Sequence, residues 1–426
     1  MSTEAPPQPG SIKLPRPLEI FLLVALLLLV GALACEAISI LVLNLRYPYM
    51  SPLLFEHFPD LLTMRPRFDH FHTLQFFTDV TDPPCMYPAP VAICYRLFFL
   101  FVPHELAVYL AFCLAAFAVT ACLFGKKLHR SGLRREEAAL FTGFALVTSY
   151  PAWFVMKQAN LEICPWVLLM IGMWCYYRGK GYSAAVCFGL AGALKITPFV
   201  YLGLFLARRQ YRHIAVALGA AAAVTIPSLW LVYPHVLESW RLTNAAVAQF
   251  RTVVTLGMFP QVGFDHSIFG LIKQISFLHL NLRHRSMLLT LYSAAVLPAI
   301  VLLYWWKIRK LPVINQVMCL CLITMLAPPT SFDYTLLNLY LPWGLLVLYA
   351  IKQARRTKPV AGLILAMVCF AILFVPETEF ILHQMSLGGQ IKALTLITLL
   401  VIALRYPFPL DGENETVRYG AVPLPL

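Results

Sequence analysis

Charge is scarce in this chain of 426 residues: Asp, Glu, Lys and Arg make up only 12% of it, against 60% hydrophobic residues. A soluble domain carries about a quarter charged residues, so that class is excluded and a polytopic integral membrane protein remains. Metal-ligand and disulfide spacings are missing too. No Cys-x-x-Cys occurs, and nearly all of the eleven cysteines sit inside apolar runs, as Cys35, Cys113, Cys187 and Cys369 do. A glycine-rich nucleotide loop is absent. So is any internal repeat of the inverted-repeat transporter kind. The net charge of +13 is not gathered into a basic domain or a groove of alternating aromatics and arginines, which excludes a nucleic-acid partner. The first apolar segment, Ile20 to Leu43, is too long for a signal-peptide core and lacks a cleavage site, so it reads as a retained first helix.

Against this background one charge stands out. Lys195 interrupts the apolar run from Tyr182 to Ala207, which Arg178 and Lys180 precede and Arg208, Arg209 and Arg212 follow. Lys/Arg-rich loops stay in the cytoplasm, so both ends of the run belong on one side of the membrane and the run folds back on itself. Each arm reaches roughly 20 Å at 1.5 Å per residue, short of a ~30 Å hydrocarbon core. Lys195-Ile196-Thr197-Pro198 then forms a tip near the far interface. An ionisable group at that depth costs roughly 2.5–3.5 kcal/mol on insertion scales and marks a functional site by default. The plainer alternative is a lysine snorkelling to lipid headgroups.

The same sorting rule organises the rest. Residues 1–17 and 406–426 read as cytoplasmic tails around one all-α membrane domain, 18–405, with about twelve transmembrane helices. A long first exterior loop, 45–103, includes an interfacial helix from Val91 to Val102, and a second exterior stretch covers 233–285. Three distant stretches therefore meet on the outer face. The first loop brings Glu56, Asp60, Asp69, Asp79 and Asp82; tight turns bring Lys157, Gln158, Asn160 and Lys195; later loops bring Arg241, Arg251, Asp265, His266 and Asp333. A carboxylate opposite cations suits one reaction type: it deprotonates an acceptor hydroxyl while positive groups stabilise a departing lipid phosphate. Asp69 stands out because aromatics flank it in Arg67-Phe68-Asp69-His70-Phe71. Asp79 and Asp82 fit loop termini or an N-cap, and Asp333 also competes as an N-cap. His266 beside Asp265 fits a structural pair as well as a functional one. Gln158 and Asn160 fit backbone satisfaction of their turn.

These residues carry a resemblance to the family 87 glycosyltransferases, membrane enzymes of the GT-C type that include polyprenol-phosphate-mannose-dependent mannosyltransferases. The block Gln158-Ala159-Asn160, an inward span, Ala193-Leu194-Lys195-Ile196-Thr197-Pro198 and then Arg208-Arg209 is similar to the family's Gln-x-Asn, Ala-Leu-Lys-x-Thr-Pro, Arg-Arg pattern. Phe68-Asp69-His70-Phe71 with Met86-Tyr87-Pro88-Ala89-Pro90 resembles its first-loop Asp and Tyr-Pro-Pro segment, which brings in Tyr87. Ala327-Pro328-Pro329-Thr330-Ser331-Phe332-Asp333-Tyr334 resembles its Ser-Pro-x-Ser-Trp block. The resemblance implies a GT-C bundle, a hexose (mannose by family habit) donated by a polyprenyl phosphate, and inversion at the anomeric carbon. It implies a glycolipid or glycan acceptor and an active site on the exterior of a bacterial-type plasma membrane. Asp69 would be the general base; Lys195, Gln158, Asn160 and Arg251 would serve the donor phosphate; Asp265, His266, Asp333, Asp79, Asp82 and Tyr87 are further candidates. No metal or other cofactor is expected, because cations can stabilise the leaving group. The competing reading is a lipid or solute transporter, a flippase included, which would put its polar residues mid-membrane.

Overall fold

The computed structural model describes residues 13–42, 58–78, 87–147, 149–257, 264–276, 280–354, 361–375, 381–382 and 385–409. Asp79, Asp82 and the Arg251 side chain lie outside the described residues, as do most of both tails and parts of the first exterior loop. The architecture is all-α; among the described residues the extended pairing is a two-residue ladder, Ile381–Leu382 against Met385–Ser386, and an isolated bridge between Asp265 and Phe332. Helix is the form such a sequence must take, since in hydrocarbon every backbone N–H and C=O has to be satisfied within its own segment.

The first half comprises α1 (Arg16–Leu41), α2 (Pro59–Phe68), α3 (Gln75–Thr78), α4 (Ala89–Phe99), α5 (Glu105–Arg130), α6 (Arg135–Val147), α7 (Tyr150–Gln158), α8 (Ile163–Tyr177) and α9 (Gly181–Leu194). The second comprises α10 (Gly203–Ala207), α11 (Tyr211–Val232), α12 (Val236–Phe250), α13 (Ile268–Ser276), α14 (Leu282–Trp306), α15 (Val313–Leu326), α16 (Tyr340–Gln353), α17 (Ala361–Phe374) and α18 (Leu387–Arg405). Among the described residues, six helical stretches are long and apolar enough to cross a bilayer: Arg16–Ala34, Glu105–Arg130, Tyr211–Val232, Leu282–Lys310, Asp333–Gln353 and Gly388–Arg405. A seventh arises if α6 and α7, bent by 45°, act together. The other expected crossings fall on apolar helices of 10–17 residues, too short to count by length, so six or seven spans stand against an expectation of about twelve.

Lipid and core faces separate cleanly. Along α14, Leu291, Leu297, Leu302 and Trp306 are exposed and apolar, the surface a hydrocarbon phase takes in place of water. α15 is buried on all sides. Inside, Phe21, Phe141, Trp343 and Phe374 tie α1, α6, α16 and α17 together through ring centroids 5.4–6.3 Å apart.

The Lys195 run is the predicted hairpin. α9 stops at Leu194, Lys195 takes an extended conformation (φ −150°, ψ 135°), and a 3-10 turn, Thr197–Leu202, starts the return through α10. Pro198 enforces the break, having no N–H to continue the helix. The two feet of the hairpin meet: the Arg208 guanidinium lies 5.1 Å above the Tyr176 ring, and the His213 ring stacks on Tyr182 and Phe205. Lys127, Arg130, Arg178 and Lys352 approach one another near this end. At about 1.5 Å per residue, α9 carries Lys195 some 20 Å away from that cationic end.

Two glycines let the arms close. A methyl group on Gly189 would stand 2.1 Å from the backbone carbonyl oxygen of Ala217, so α9 and α11 touch backbone to backbone; one on Gly192 would stand 2.5 Å from the Phe199 ring of the returning arm. Gly189→Ala is therefore expected to lower stability by roughly 1–3 kcal/mol, because a carbonyl cannot swing aside as a side chain can. Gly219→Ala, whose added methyl meets nothing within 4 Å, should leave stability unchanged or raise it by up to about 1 kcal/mol. Thermal melting of both variants in detergent checks the contrast.

Candidate active site

The site is assembled around the turn between α7 and α8. Ala159 closes α7 in the left-handed region (φ 50°, ψ 41°), the usual helix stop, and the Asn160 N–H reaches back to the Val155 carbonyl at 3.2 Å. Alanine costs more than glycine there. The turn is held from outside: the Tyr109 hydroxyl donates to the carbonyls of Val155 (3.0 Å) and Asn160 (2.9 Å), and the Tyr95 hydroxyl donates to that of Ala159 (3.4 Å).

Asn160 faces two ways. Its Oδ1 accepts from the Glu162 N–H at 2.8 Å, and its Nδ2 donates to Asp60 Oδ2 at 2.5 Å. Glu162 is buried just before α8, and both of its oxygens are used: Oε2 takes the Lys195 ammonium at 2.6 Å, and Oε1 takes the Asn338 amide at 2.7 Å. A buried carboxylate is tolerable when it is paired and hydrogen-bonded in this way. The Lys195 side chain is 30% exposed against 3% for Glu162, so the amine is the open side of the pair. Its Nζ also lies 4.8 Å from the Tyr334 ring centroid, a cation–π contact that leaves part of the ammonium available.

Asp60 enters from the first turn of α2, behind Pro59. Proline suits this place because its missing N–H is not needed there. Arg65 of the same helix pairs with Glu105 of α5 at 2.9 Å, fixing α2 against the bundle. Burial pushes the Asp60 carboxyl up to about 6, against the lowering effects of the Asn160 hydrogen bond, the Tyr87 hydrogen bond and the Lys195 charge, in that order. Burial and the nearby Asp60 charge push the Tyr87 phenol well above its ordinary value, which keeps Tyr87 protonated. The set thus offers a carboxylate that takes up a proton near neutral pH, beside an ammonium with an open face.

The sequence candidates divide accordingly. Lys195, Asn160 and Tyr87 come together, and Gln158 is half-buried at the end of α7 beside them in sequence. Asp69 does not join them: it is exposed at the opposite end of α2. Among the described residues, the side-chain hydrogen bonds of Asn160, Glu162 and Lys195 run among these three, to Asp60 and to Asn338. The aromatics around Asp69 pack among themselves, Phe68 on Phe71 at 5.7 Å with Arg96 3.9 Å above Phe71, and leave the carboxylate outside.

Asp265, His266 and Asp333 build a second, fully buried network. Asp333 accepts from the Tyr150 hydroxyl and the Lys392 ammonium at 2.5 Å each, and its other oxygen meets His266 Nδ1 at 3.1 Å. His266 Nε2 faces the hydroxyls of Ser331 and Thr335, both at 3.2 Å. Asp265 takes the N–H groups of Ser267 and Ser331 and the Lys273 ammonium at 3.0–3.1 Å. Asp333 does not cap: it is the first residue of the 3-10 segment Asp333–Leu339, with Phe332 before it.

Glu162 escaped sequence reading. Its one local signal is Asn160 two residues earlier, the spacing of an Asx turn; its partners at Lys195 and Asn338 are remote in the chain. Asp60 stood among the loop acids, but nothing local tied it to Asn160.

Among known families, the family model described as glycosyltransferase family 87 matches residues 86–329, more than half of the chain. That span contains Asn160, Glu162 and Lys195; Asp60 precedes it, and Asp333 and Asn338 follow it. No curated protein and no solved structure matches.

The ion pair makes a directional prediction. Lys195→Met strands the Glu162 carboxylate and should cost about 1–3 kcal/mol, the range for a lost hydrogen bond to a charged group. Adding Glu162→Gln removes the stranded charge and should return much of that stability. Melting temperatures of the single and double variants decide; a double variant less stable than Lys195→Met contradicts the pairing.

Proposed function

Because the chain belongs to glycosyltransferase family 87, it is a membrane glycosyltransferase, and we propose that it moves a hexose, mannose in the first instance, from a polyprenyl phosphate to an acceptor hydroxyl. The acceptor is a glycolipid or glycan on the exterior face of a bacterial-type plasma membrane. What supports this reading is the meeting of Asp60, Asn160, Glu162 and Lys195 at the end of the bundle opposite its cationic end.

In this reading Asp60, not Asp69, is the general base. The acceptor oxygen attacks the anomeric carbon as its proton passes to Asp60, the bond from that carbon to the phosphate oxygen breaks, and polyprenyl phosphate leaves with one more negative charge. Asn160 holds Asp60 in place through its amide, and Tyr87 donates to the same carboxylate. Lys195 meets the charge gathering on the phosphate with the part of its ammonium that Glu162 does not cover. Such a donor is anchored in the bilayer, so its reactive carbon sits at interface depth. The step as drawn uses no metal ion, and transfer is expected to survive EDTA.

The test is transfer of label from a polyprenyl-phosphate hexose in membranes. Asp60→Asn should reduce it by about 10²–10⁴-fold at unchanged expression, while Asp69→Asn should keep most of the wild-type rate. Protonated Asp60 cannot accept a proton, so kcat/KM should fall about tenfold per pH unit below a midpoint near 6 and level off above it. Full activity in Asp60→Asn removes the base assignment. Flux of the lipid without covalent transfer would make the protein a transporter instead.

A further inference from the structure

The buried network around Asp333 holds the segment that touches the groups assigned to chemistry. We infer that Asp333, Lys392, His266 and Tyr150 are positioning residues for Lys195, acting through the 3-10 segment Asp333–Leu339. The segment is short and carries three functions in seven residues. Asp333 is the anchor, gripped by α18 through Lys392, by α7 through Tyr150 and by the 265–267 strip through His266. Tyr334 offers its ring to the Lys195 ammonium at 4.8 Å, and Asn338 donates to Glu162 Oε1 at 2.7 Å, leaving Oε2 for Lys195. Both contacts on the Lys195–Glu162 pair from this side of the bundle therefore hang on one anchored turn.

Asp333 and Lys392 are both 0% exposed, as is His266. An ion pair so deep contributes little net stability over an apolar substitute, because desolvation offsets its attraction. Its value lies in geometry: a fully satisfied buried network fixes one arrangement of the backbone that carries it. Asp265 extends the grip. It gathers the N–H groups of Ser267 and Ser331 and ties them to α13 through Lys273, so both strips flanking His266 and Asp333 are fixed as well.

The inference rests on the sugar-transfer reading only for its effect on turnover; the position of the amine can be read directly. Reductive methylation of the full-length protein in detergent with formaldehyde and borohydride, followed by peptide mass spectrometry, measures how readily Lys195 reacts. Two variants are compared with wild type: Tyr150→Phe, which removes one hydrogen bond, and the charge-neutral pair Asp333→Asn with Lys392→Gln. Loosening the anchor should release Lys195 from Glu162 and raise its labelling rate several-fold, with Lys127 and Lys352 at the cationic end unchanged. An unchanged Lys195 rate in folded variants overturns the inference, and so does a parallel rise at all three lysines, which marks general loosening. Should the neutral pair not fold, Tyr150→Phe decides alone. Loss of the transferase reading would leave this labelling result standing, and an unmoved Lys195 would leave transfer by Asp60 untouched.

Discussion

A lysine that interrupts an apolar hairpin needs an opposite charge within reach, and Glu162 at 2.6 Å supplies it. Much of the site follows from that requirement. Glu162 is where it is because Asn160 turns the chain ahead of α8, and Asn160 is held because two tyrosines grip its turn. The remaining amide of Asn160 then fixes Asp60. The Lys195–Glu162 pair is thus linked through Asn160 to Asp60, on the first-loop helix that Arg65 and Glu105 also hold.

The electrostatic balance of this pocket differs from a simple cationic phosphate cradle. Asp60 and Glu162 together outweigh Lys195 when both are ionised, so the donor phosphate of the proposed reaction would share the ammonium with Glu162. In the proposed mechanism, uptake of a proton by Asp60 would remove one negative charge as another develops on the departing phosphate. Partial burial keeps the Asp60 carboxyl near 6, where such uptake is cheap at neutral pH. In that mechanism the Lys195–Glu162 pair, Asp60 and the phosphate form one charge system whose total the reaction would leave unchanged.

Some of this was legible from residue order alone. The hairpin with Lys195 at its tip was readable because basic clusters bracket an apolar run too short to span twice, and both are local properties. Gln158, Asn160 and the Ala193-Leu194-Lys195-Ile196-Thr197-Pro198 block gave a recognisable spacing. Asp69 drew attention through its aromatic neighbours, but those rings pack on one another and on Arg96, which turns the carboxylate outward. The His266–Asp265 pair suggested two adjacent side chains acting together. In the fold they point to different partners, His266 to Asp333 and Asp265 to Lys273.

Residue order by itself determined a helical membrane protein, the hairpin, and the lysine set apart at its tip, because hydropathy and charge sorting act over a few turns of chain. Which carboxylate meets that lysine was decided only in three dimensions. Asp60, Glu162 and Asn338 lie far apart along the chain, and α2, the α7–α8 turn and the 3-10 segment bring them together by packing. Hydrogen bonds between side chains a hundred or more residues apart leave no periodic trace in a sequence; only the packed bundle selects them.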